Sequence, residues 1–392
     1  MFIFIFIPTY HKSYNLFSFN DLDKTNMKTL KILFLIFPLT ASAFFENQIN
    51  VTGLSTANTA AAALANKNII QNAVNQGLSI SSTVNILSQN AYIDAVAGAK
   101  GIVVPANTKI NLNKTTLKVY PNASNSYSIF RVESVNNVII QGDATSKLIG
   151  DRDLHDYSVA GFFGFGISIK NSSTVTLSGF NISDMMADGV YVGGASNSTI
   201  RLQYMTLDHN RRQGMSVIAV NGMVVTGCTF SNTASGDPAL GIDFEPNSPT
   251  QLIYNVQVAS NTFVNNQGGG MKAYTASYLD DNYYNVLINN NSFNETNPAI
   301  TFSNSRNIIA KFNTMTVAQN CVTMVGSTNN QVFSNTCIRK TPGSTALYAP
   351  VIVGRPNTGN TFINNTLTSY SGVVKPANTP ASQVLTTGNI LN

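Results

Sequence analysis

A short phrase recurs five times in the second half of the chain: an asparagine, then a serine or threonine, then an apolar residue or a cysteine. Successive copies are 30, 22, 22 and 30 residues apart. This spacing fits one turn of a solenoid built from three short strands, with loops absorbing the longer intervals. Asparagines stacked in this way can hydrogen-bond to the copies above and below them. The copies begin at Asn261, Asn291, Asn313, Asn335 and Asn365.

A second series of β-rich segments precedes these phrases. In each segment two apolar residues flank one residue that faces the opposite way, because side chains alternate along a strand. Turns stacked about 4.8 Å apart would align these middle residues in one outward column. We predict that the column holds Arg131, Ser168, Tyr191, Ser216, Asp243, Lys272 and Thr301, and that its neighbour holds Glu133, Lys170, Gly193, Ile218, Glu245, Tyr274 and Ser303.

One helix is predicted before the solenoid. The segment from Ala60 to Gln76 is rich in alanine and ends at Gly77, a residue suited to closing a helix. Ala62, Ala65, Ile69 and Ala73 lie at helical spacing. We expect this helix to cover the open N-terminal end of the solenoid, whose unpaired strand edge would otherwise favour aggregation.

The N-terminus carries the pattern of an export signal. Lys28 and Lys31 precede an apolar run from Ile32 to Leu39, and the small residues Ala41-Ser42-Ala43 follow. The run is shorter than the roughly 20 residues that a membrane-spanning helix needs. We therefore predict a cleaved signal peptide, a secreted or periplasmic protein and no membrane span after cleavage.

The predicted organisation has five parts. We expect an upstream extension from a mis-chosen start codon over 1–26, the signal peptide over 27–43, a capping region with the helix over 44–100, the solenoid over 101–375 and a tail over 376–392. The alternative to the cleaved signal peptide is a longer N-terminal anchor that includes Phe2 to Ile7.

Charge and cysteine content exclude some partners. Only 10% of the residues are charged, and the basic ones are scattered rather than clustered as nucleic-acid binding requires. Three cysteines, Cys228, Cys321 and Cys337, show no metal-ligand spacing with histidine. We expect buried thiols, with a Cys321–Cys337 bridge left open, in a monomeric protein.

Several phrases resemble the right-handed parallel β-helix superfamily, which includes pectate lyases, polygalacturonases, alginate lyases and mannuronan epimerases. The resemblance covers about residues 57–375 and implies an all-β fold of three-strand turns with an N-terminal capping helix. Its phrases are Val103-Val104-Pro105, Gly150-Asp151-Arg152-Asp153, Asp188-Gly189-Val190-Tyr191, Arg212-Gln213-Gly214 and Gly241-Ile242-Asp243-Phe244-Glu245-Pro246.

The chain departs from the family's specific signatures. Polygalacturonase-like enzymes carry an adjacent aspartate pair and a Gly-His-Gly phrase, but the adjacent pair here, Asp280-Asp281, falls in a predicted loop and no Gly-His-Gly occurs. The Asp-Pro-His phrase of mannuronan epimerases is also missing. The resemblance therefore implies action on polysaccharide without fixing one activity.

Candidate catalytic residues concentrate in four turns spanning Asp188 to Tyr274. Asp243 and Glu245 lie two apart on one strand, so their side chains share a face roughly 7 Å apart. That separation lies within the window of about 6.5 to 9.5 Å used by inverting glycosidases. Lys272 is predicted one turn from Asp243, and Tyr274 one turn from Glu245.

These residues also suit β-elimination of a uronate polymer, which needs a cation for the sugar carboxylate, a base and an acid. We assign the carboxylate to Arg212 and the base to Lys272 or Tyr274. Asp243 and Glu245 would position hydroxyls or hold calcium; no other cofactor is implied. The predicted substrate-binding residues are Asp188, Tyr191, Arg211 and His209.

Simpler interpretations stand beside these. Asp243 with Lys272 would form an ordinary cross-strand ion pair, and Glu245 before Pro246 could close a turn. A loop with Asp151, Asp153, His155 and Asp156 is a weaker calcium candidate. The leading hypothesis is a lyase or epimerase acting on an acidic polysaccharide, and the alternatives are a glycoside hydrolase, a non-catalytic glycan-binding or adhesion module, and a purely structural solenoid.

Overall fold

A computed structural model describes residues 47–77, 82–275, 282–349, 357–374 and 384–392. The predicted upstream extension and signal peptide lie outside the described residues, as does the Asp280-Asp281 pair. Within the described residues, no helix is both long and apolar enough to cross a membrane.

The described chain is almost entirely strand. Its helices are α1 (Ala60–Gln76) and α2 (Ala97–Lys100). The strands of the N-terminal half are β1 (Asn47–Val51), β2 (Ser82–Ile86), β3 (Asn90–Ile93), β4 (Ile102–Val103), β5 (Thr108–Asn111), β6 (Thr116–Val119), β7 (Ser126–Glu133), β8 (Asn136–Gln141), β9 (Lys147–Ile149), β10 (Phe163–Lys170), β11 (Ser173–Ser178), β12 (Asn181–Ser183), β13 (Asp188–Gly193), β14 (Ser198–Gln203), β15 (Thr206–Asp208), β16 (Gln213–Val217), β17 (Val220–Thr226) and β18 (Thr229–Ser231). Those of the C-terminal half are β19 (Leu240–Phe244), β20 (Ile253–Ala259), β21 (Thr262–Val264), β22 (Gly269–Tyr274), β23 (Tyr283–Asn289), β24 (Ser292–Glu295), β25 (Ile300–Ser303), β26 (Ile308–Lys311), β27 (Thr314–Val317), β28 (Val322–Val325), β29 (Gln331–Phe333), β30 (Thr336–Arg339), β31 (Thr345–Tyr348), β32 (Asn360–Ile363), β33 (Thr366–Thr368), β34 (Gly372–Val374), β35 (Val384–Leu385) and β36 (Ile390–Leu391).

These strands form three parallel sheets, which confirms the predicted solenoid. Sheet 1 contains β1, β2 and every third strand from β5 to β35; sheet 2 contains every third strand from β3 to β36; sheet 3 contains every third strand from β4 to β34. Each turn of the chain therefore contributes one strand to each sheet, and residues a full turn apart become neighbours.

The predicted asparagine ladder is present. Asn291 Oδ1 accepts hydrogen bonds from the backbone N–H and Nδ2 of Asn261, at 2.9 and 3.0 Å. Asn313 Oδ1 accepts the corresponding two hydrogen bonds from Asn291. The ladder continues through Asn335 and Asn365 to Asn389. Each residue just before a repeat asparagine, such as Asn290 with φ 55°, has left-handed backbone that turns the chain between sheets 1 and 2.

The core depends on a row of glycines facing a stack of phenylalanines. Phe230, Phe263 and Phe293 stack with ring centroids 5.1 and 4.5 Å apart. A Cβ on Gly241 would lie 2.7 Å from both the Phe263 ring and the carbonyl oxygen of Gly270. Glycine is therefore required there because sheet 3 and the aromatic stack approach too closely for a side chain.

Helix α1 has the predicted bounds but a different buried face. Thr59 Oγ1 accepts from the N–H of Ala62, and Gly77 closes the C-terminal end by donating to Ala73 and Val74. Ala63, Asn66, Ile70, Ala73 and Val74 are buried, whereas the predicted Ala65 and Ile69 are exposed. The prediction ignored Asn66, which enters the buried face because its Nδ2 donates to Ser55 and Tyr92 carbonyl oxygens of the first turn.

The sheets extend beyond the range predicted for the solenoid. Strands β1, β2 and β3 precede residue 101, and β35 and β36 follow residue 375. The helix therefore packs against a first turn that already contains paired strands. Cys228, Cys321 and Cys337 are free and buried, so the Cys321–Cys337 bridge is absent.

Candidate functional site

The outer face of sheet 3 carries the predicted column in the predicted register. Pairs of parallel neighbours join Arg131 to Ser168, Ser168 to Tyr191 and Tyr191 to Ser216. The column continues through Asp243, Lys272 and Thr301, and extends to Thr323 and Tyr348. Period-two alternation was enough to place these residues because every turn keeps the same strand register.

Asp243 occupies its predicted position but is not open to solvent. We expected an outward, accessible carboxylate, and only 2% of the residue is exposed. Its Oδ2 accepts a 2.8 Å hydrogen bond from Gln213 Nε2 of the preceding turn. Its Oδ1 is buried without a hydrogen-bond partner among the described residues. The low exposure and the Gln213 hydrogen bond show that this carboxyl is covered rather than open to solvent.

Two neighbouring carboxyls on this face have raised pKa values. Burial raises the pKa of Asp243 to about 7, and repulsion from Glu245 adds to the effect, while Lys272 and Arg212 oppose it. Burial also raises the pKa of Glu245, opposed by Arg212 and Lys272. The side chain of Glu245 has no hydrogen-bond or ion-pair partner among the described residues and is partly exposed. Glu245 is therefore the carboxylate of the pair that a ligand can reach.

Arg212 is committed to Asp188 rather than free for a ligand. Its Nε and Nη2 each donate a 2.9 Å hydrogen bond to the two carboxyl oxygens of Asp188, which is fully buried. Burial lowers the pKa of Arg212, but attraction by Asp188 outweighs it and the net change is upward. The predicted role of Arg212 as a clamp for a sugar carboxylate is therefore disfavoured.

A hydrogen-bond network joins this ion pair to the aspartate. Ser216 Oγ donates to Asp188 Oδ2 at 2.8 Å and also contacts Oε1 of Gln213. Gln213 in turn donates to Asp243. Sequence reasoning missed Gln213 as a site residue, although its place in the Arg212-Gln213-Gly214 phrase was a usable signal.

Lys272 is not paired with Asp243 as the simple interpretation predicted. Among the described residues, no ion pair within 4.0 Å joins the two, and Nζ of Lys272 instead lies 4.6 Å from the ring centroid of Tyr274. Both side chains are partly exposed. Lys272 therefore provides a cation on this face that does not form an ion pair with any carboxylate of the described residues.

Of the predicted substrate-binding residues, Asp188 is fully buried and paired with Arg212, which does not fit that role, and the other three divide between the face and its edge. Tyr191 lies on the face, stacked on Phe165 with centroids 4.6 Å apart and planes at 8°. Arg211 lies at the edge, over the rings of Tyr157 and Phe162 at 4.8 and 4.3 Å. His209 is also at the edge, where Nδ1 contacts Asp184 Oδ1 at 2.6 Å. Phe165 was missed because it precedes the apolar triplet used to find the column.

The predicted calcium loop does not converge on a single site. Asp151 and His155 are buried and bonded to each other at 2.8 Å, while Asp156 accepts from the N–H of Ser158. Among the described residues, three ligand atoms of Asp153, Asp184 and His209 lie within 4.8 Å of one another. This cluster lies between sheets 2 and 3, at the edge of the candidate face.

In chemical terms, the face combines two carboxyls of raised pKa, a cation and aromatic rings. A carboxyl with a pKa near neutrality can give and take protons at physiological pH. A cation and rings on the same face are suited to holding a charged sugar. The arrangement is therefore equipped for acid–base chemistry.

Comparisons with known proteins agree with this fold. Residues 165–338 match the family model described as right handed beta helix region. The A-module of mannuronan C-5 epimerase AlgE6 from Azotobacter vinelandii superposes with a TM-score of 0.63 at 15% identity, over 88% of this chain and 93% of that chain. A mutant tailspike protein of E. coli bacteriophage HK620 gives 0.61 at 13% identity, over 90% and 68%. The Streptococcus pneumoniae surface protein and adhesin PfbA gives 0.59 at 12% identity, over 88% and 97%.

Two Bacillus subtilis proteins are related in sequence. Uncharacterized protein YclG is 31% identical over 218 residues, which cover 50% of this chain and 36% of YclG. The prophage-derived uncharacterized protein YorA is 28% identical over 242 residues, which cover 55% and 40%. The chain thus spans well under half the length of these relatives. In fold, the chain is a right-handed parallel β-helix, as its resemblance to that superfamily predicted.

Proposed function

We propose that the protein is a secreted enzyme that cleaves or epimerises an acidic polysaccharide bound along the outer face of sheet 3. Asp243 carries this proposal. A buried carboxyl oxygen without a hydrogen-bond partner costs stability, so such a group is uncommon unless it is used. Carboxyls whose pKa is shifted towards neutrality by burial and a charged neighbour concentrate at active sites.

The roles follow from exposure and charge. Lys272 binds the sugar carboxylate. The sequence predicts this role for Arg212, but Arg212 is bonded to Asp188. Glu245, the partly exposed carboxylate, removes the proton from the carbon next to the sugar carboxylate. In cleavage, the electron pair of the broken C–H bond forms a carbon–carbon double bond as the leaving oxygen departs. Asp243 supplies the proton that this oxygen takes up.

Access to Asp243 requires a local rearrangement. Its Oδ1 is closed to solvent in the unliganded chain, so a bound sugar has to displace a covering side chain before the proton can pass. Catalytic hydrogen bonds often become well aligned only in the substrate complex. In epimerisation the proton returns to the opposite side of the same carbon and no bond to oxygen breaks. Tyr274, beside Lys272, is the second candidate for the base.

Hydrolysis is the second candidate function. The two carboxyls on one strand, Asp243 and Glu245, favour it, because inverting glycosidases use one carboxylic acid and one carboxylate. In that reaction Asp243 protonates the glycosidic oxygen and Glu245 activates water. Hydrolysis and elimination require the same two residues, so substitutions of these residues do not separate the reactions. The reaction products distinguish them.

The test is to incubate the purified protein with pectate, alginate and neutral glycans. Ultraviolet absorbance of an unsaturated uronate indicates elimination, new reducing ends without it indicate hydrolysis, and inversion detected by NMR without chain cleavage indicates epimerisation. Binding without any of these products contradicts the proposal and favours a binding module.

Matched variants assign the chemistry to this site. Asp243→Asn and Glu245→Gln are expected to reduce turnover by at least about 100-fold, as the loss of an acid or base does. Asp143→Asn is the control, because Asp143 lies in a turn after sheet 1 and, among the described residues, its carboxylate accepts hydrogen bonds only from Thr145 and Ser146. Equal activity of all three variants would remove Asp243 and Glu245 from the mechanism.

Export is part of the proposal and rests on the sequence pattern alone. The mature protein recovered from the medium or periplasm is expected to begin near residue 44. N-terminal sequencing measures this directly, and a mature chain retaining residues 27–43 would exclude the cleaved signal peptide.

A further inference from the structure

A second feature of the same face is a groove four turns long at its N-terminal end. The groove has a volume of about 340 Å³ and shares Tyr191 with the candidate site. Its floor includes Tyr127 and Ser128, and its walls include Lys100, Arg131 and Lys170. Arg131 and Tyr191 belong to the same column as Asp243, four and two turns away. At about 4.8 Å a turn, the groove lies roughly 10 to 19 Å from Asp243 along the solenoid axis.

The groove carries an excess of positive charge. Among the described lining residues, Glu133 is the one acidic side chain, and it already has partners: Arg131 Nη2 donates to Oε2, and Lys170 Nζ lies 3.6 Å from Oε1. Burial raises the pKa of Glu133, but the hydrogen bond from Arg131 and the charge of Lys170 outweigh burial and lower it. Glu133 is therefore ionised and balances one cation. Two positive charges remain, and Lys170 is 41% exposed.

The groove also has an aromatic wall of the kind that sugar rings contact. Phe165 and Tyr191 stack face to face, and Lys170 Nζ lies 5.6 Å from the Tyr191 ring. Phe163, at the rim, is 53% exposed. Exposed rings beside a net positive charge match a ligand with a flat apolar face and a negative group.

We propose that this groove is an anchoring subsite for a second acidic sugar of the polymer, distinct from the sugar that reacts at Asp243. Lys170 pairs with the carboxylate of that sugar, and Tyr191 contacts its ring. The polymer then lies along the solenoid axis and has to reach from the groove to Asp243. This inference rests on the proposed function for its ligand class, but it concerns other residues and predicts a dependence on substrate length and charge.

The test compares Lys170→Met with Lys147→Met. Lys147 is exposed on β9 in sheet 2, so its variant makes the same charge change on another wall. Binding of pectate and of fully methyl-esterified pectin is measured by calorimetry, with Glu245→Gln in the background to prevent turnover. Loss of one charge-assisted contact is expected to weaken pectate binding about tenfold at low salt, equivalent to about 1.4 kcal/mol. Lys147→Met and the esterified polymer should show no such loss.

A turnover assay supplies the second readout. With long pectate, Lys170→Met is expected to raise KM about tenfold with little change in kcat, since the subsite binds ground and transition states alike. With substrates too short to reach the groove, the variant should match Lys147→Met. Equal pectate binding by the two lysine variants, or no pectate binding at all, would overturn the subsite. Pectate binding that depends on Lys170 without turnover that depends on Asp243 would leave the subsite standing and reject the proposed function.

Discussion

Gln213 Nε2 donates a 2.8 Å hydrogen bond to Oδ2 of Asp243, while the Oδ1 of the same carboxyl has no partner among the described residues. Among the described residues, the Gln213 amide therefore provides the one hydrogen bond to this carboxyl, and the charges of Lys272 and Arg212 also favour its ionised form. Burial and Glu245 act in the other direction and hold the pKa of Asp243 at about 7. The protonation state of this carboxyl is thus a balance in which Lys272, Arg212 and the Gln213 hydrogen bond favour the ionised form.

Gln213→Leu should raise the pKa of Asp243 further, because the ionised carboxylate loses its donor. The expected increase is up to about one pH unit, since a unit corresponds to about 1.4 kcal/mol, the size of one such bond. Carbon-13 NMR titration of the aspartate carboxyls measures it, with Asp243→Asn assigning the signal. Gln203→Leu on sheet 1 is the control. A signal that titrates near pH 4 in the unmodified protein would contradict the proposed role of Asp243.

Arg212→Met should destabilise the fold strongly, because it leaves the fully buried Asp188 charged and unpaired. Breaking a buried ion pair from one side typically costs about 3 to 5 kcal/mol. The double variant Asp188→Asn with Arg212→Met should be more stable than Arg212→Met alone, since no buried charge remains. Urea unfolding of the two single variants and the double variant measures the coupling.

Arg211→Met is the matched control for that experiment. Arg211 contacts the rings of Tyr157 and Phe162 at the edge of the site, and loss of such contacts costs about 0.5 to 2 kcal/mol. Equal losses in the free energy of unfolding for Arg211→Met and Arg212→Met would show that the ion pair between Arg212 and Asp188 stabilises the fold no more than the ring contacts of Arg211.

Much of the fold could be predicted because it repeats. The register of Asp243 with Lys272 follows from strand alternation and equal turns, and the ladder through Asn291 follows from one recurring phrase. The first turn escaped prediction because β1, β2 and β3 are separated by an alanine-rich helix and polar segments that hide their periodicity.

The site was harder to predict than its column. Periodicity indicates which face a residue occupies, but the burial of Asp243 depends on how side chains of other turns pack over it. The pair formed by Arg212 and Asp188 joins the loop before β16 to the start of β13, a contact between turns that no local pattern reports. In α1 the helical spacing of apolar residues did not identify Asn66, whose burial depends on hydrogen bonds to the carbonyl oxygens of Ser55 and Tyr92.

Glu295→Gln should change the pH dependence of stability. Burial raises the pKa of Glu295 to about 7, although both its oxygens accept 2.7 Å hydrogen bonds from Asn266. A carboxyl with a raised folded pKa makes the protein less stable as pH rises from its unfolded value of 4.5 through 7, because the folded state holds the proton longer. In Glu295→Gln the free energy of unfolding should fall less over this pH range than in the unmodified protein, by on the order of 3 kcal/mol.

Glu133→Gln provides a control of opposite sign. The pKa of Glu133 is lowered, so its contribution to stability is present above the unfolded value and is lost as pH falls. Unfolding free energies measured between pH 3 and pH 8 separate the two variants, within the roughly neutral-to-acid range where carboxyls titrate. A Glu295→Gln profile parallel to that of the unmodified protein would contradict the assignment.

Asn291→Ala should break the ladder at its second asparagine. Asn291 Oδ1 accepts two bonds from Asn261, and Asn291 Nδ2 donates to Asn313 Oδ1 and to the carbonyl oxygen of Val258. Removing the amide leaves buried donors and acceptors on both adjacent turns without hydrogen-bond partners, and each such group costs about 1 to 3 kcal/mol. The free energy of unfolding is therefore expected to fall by roughly 3 to 5 kcal/mol. Asn294→Ala, three residues along β24 and exposed, should cost less than about 0.5 kcal/mol. Urea midpoints provide the comparison, and similar losses in both variants would show that the stacked amides do not stabilise the solenoid.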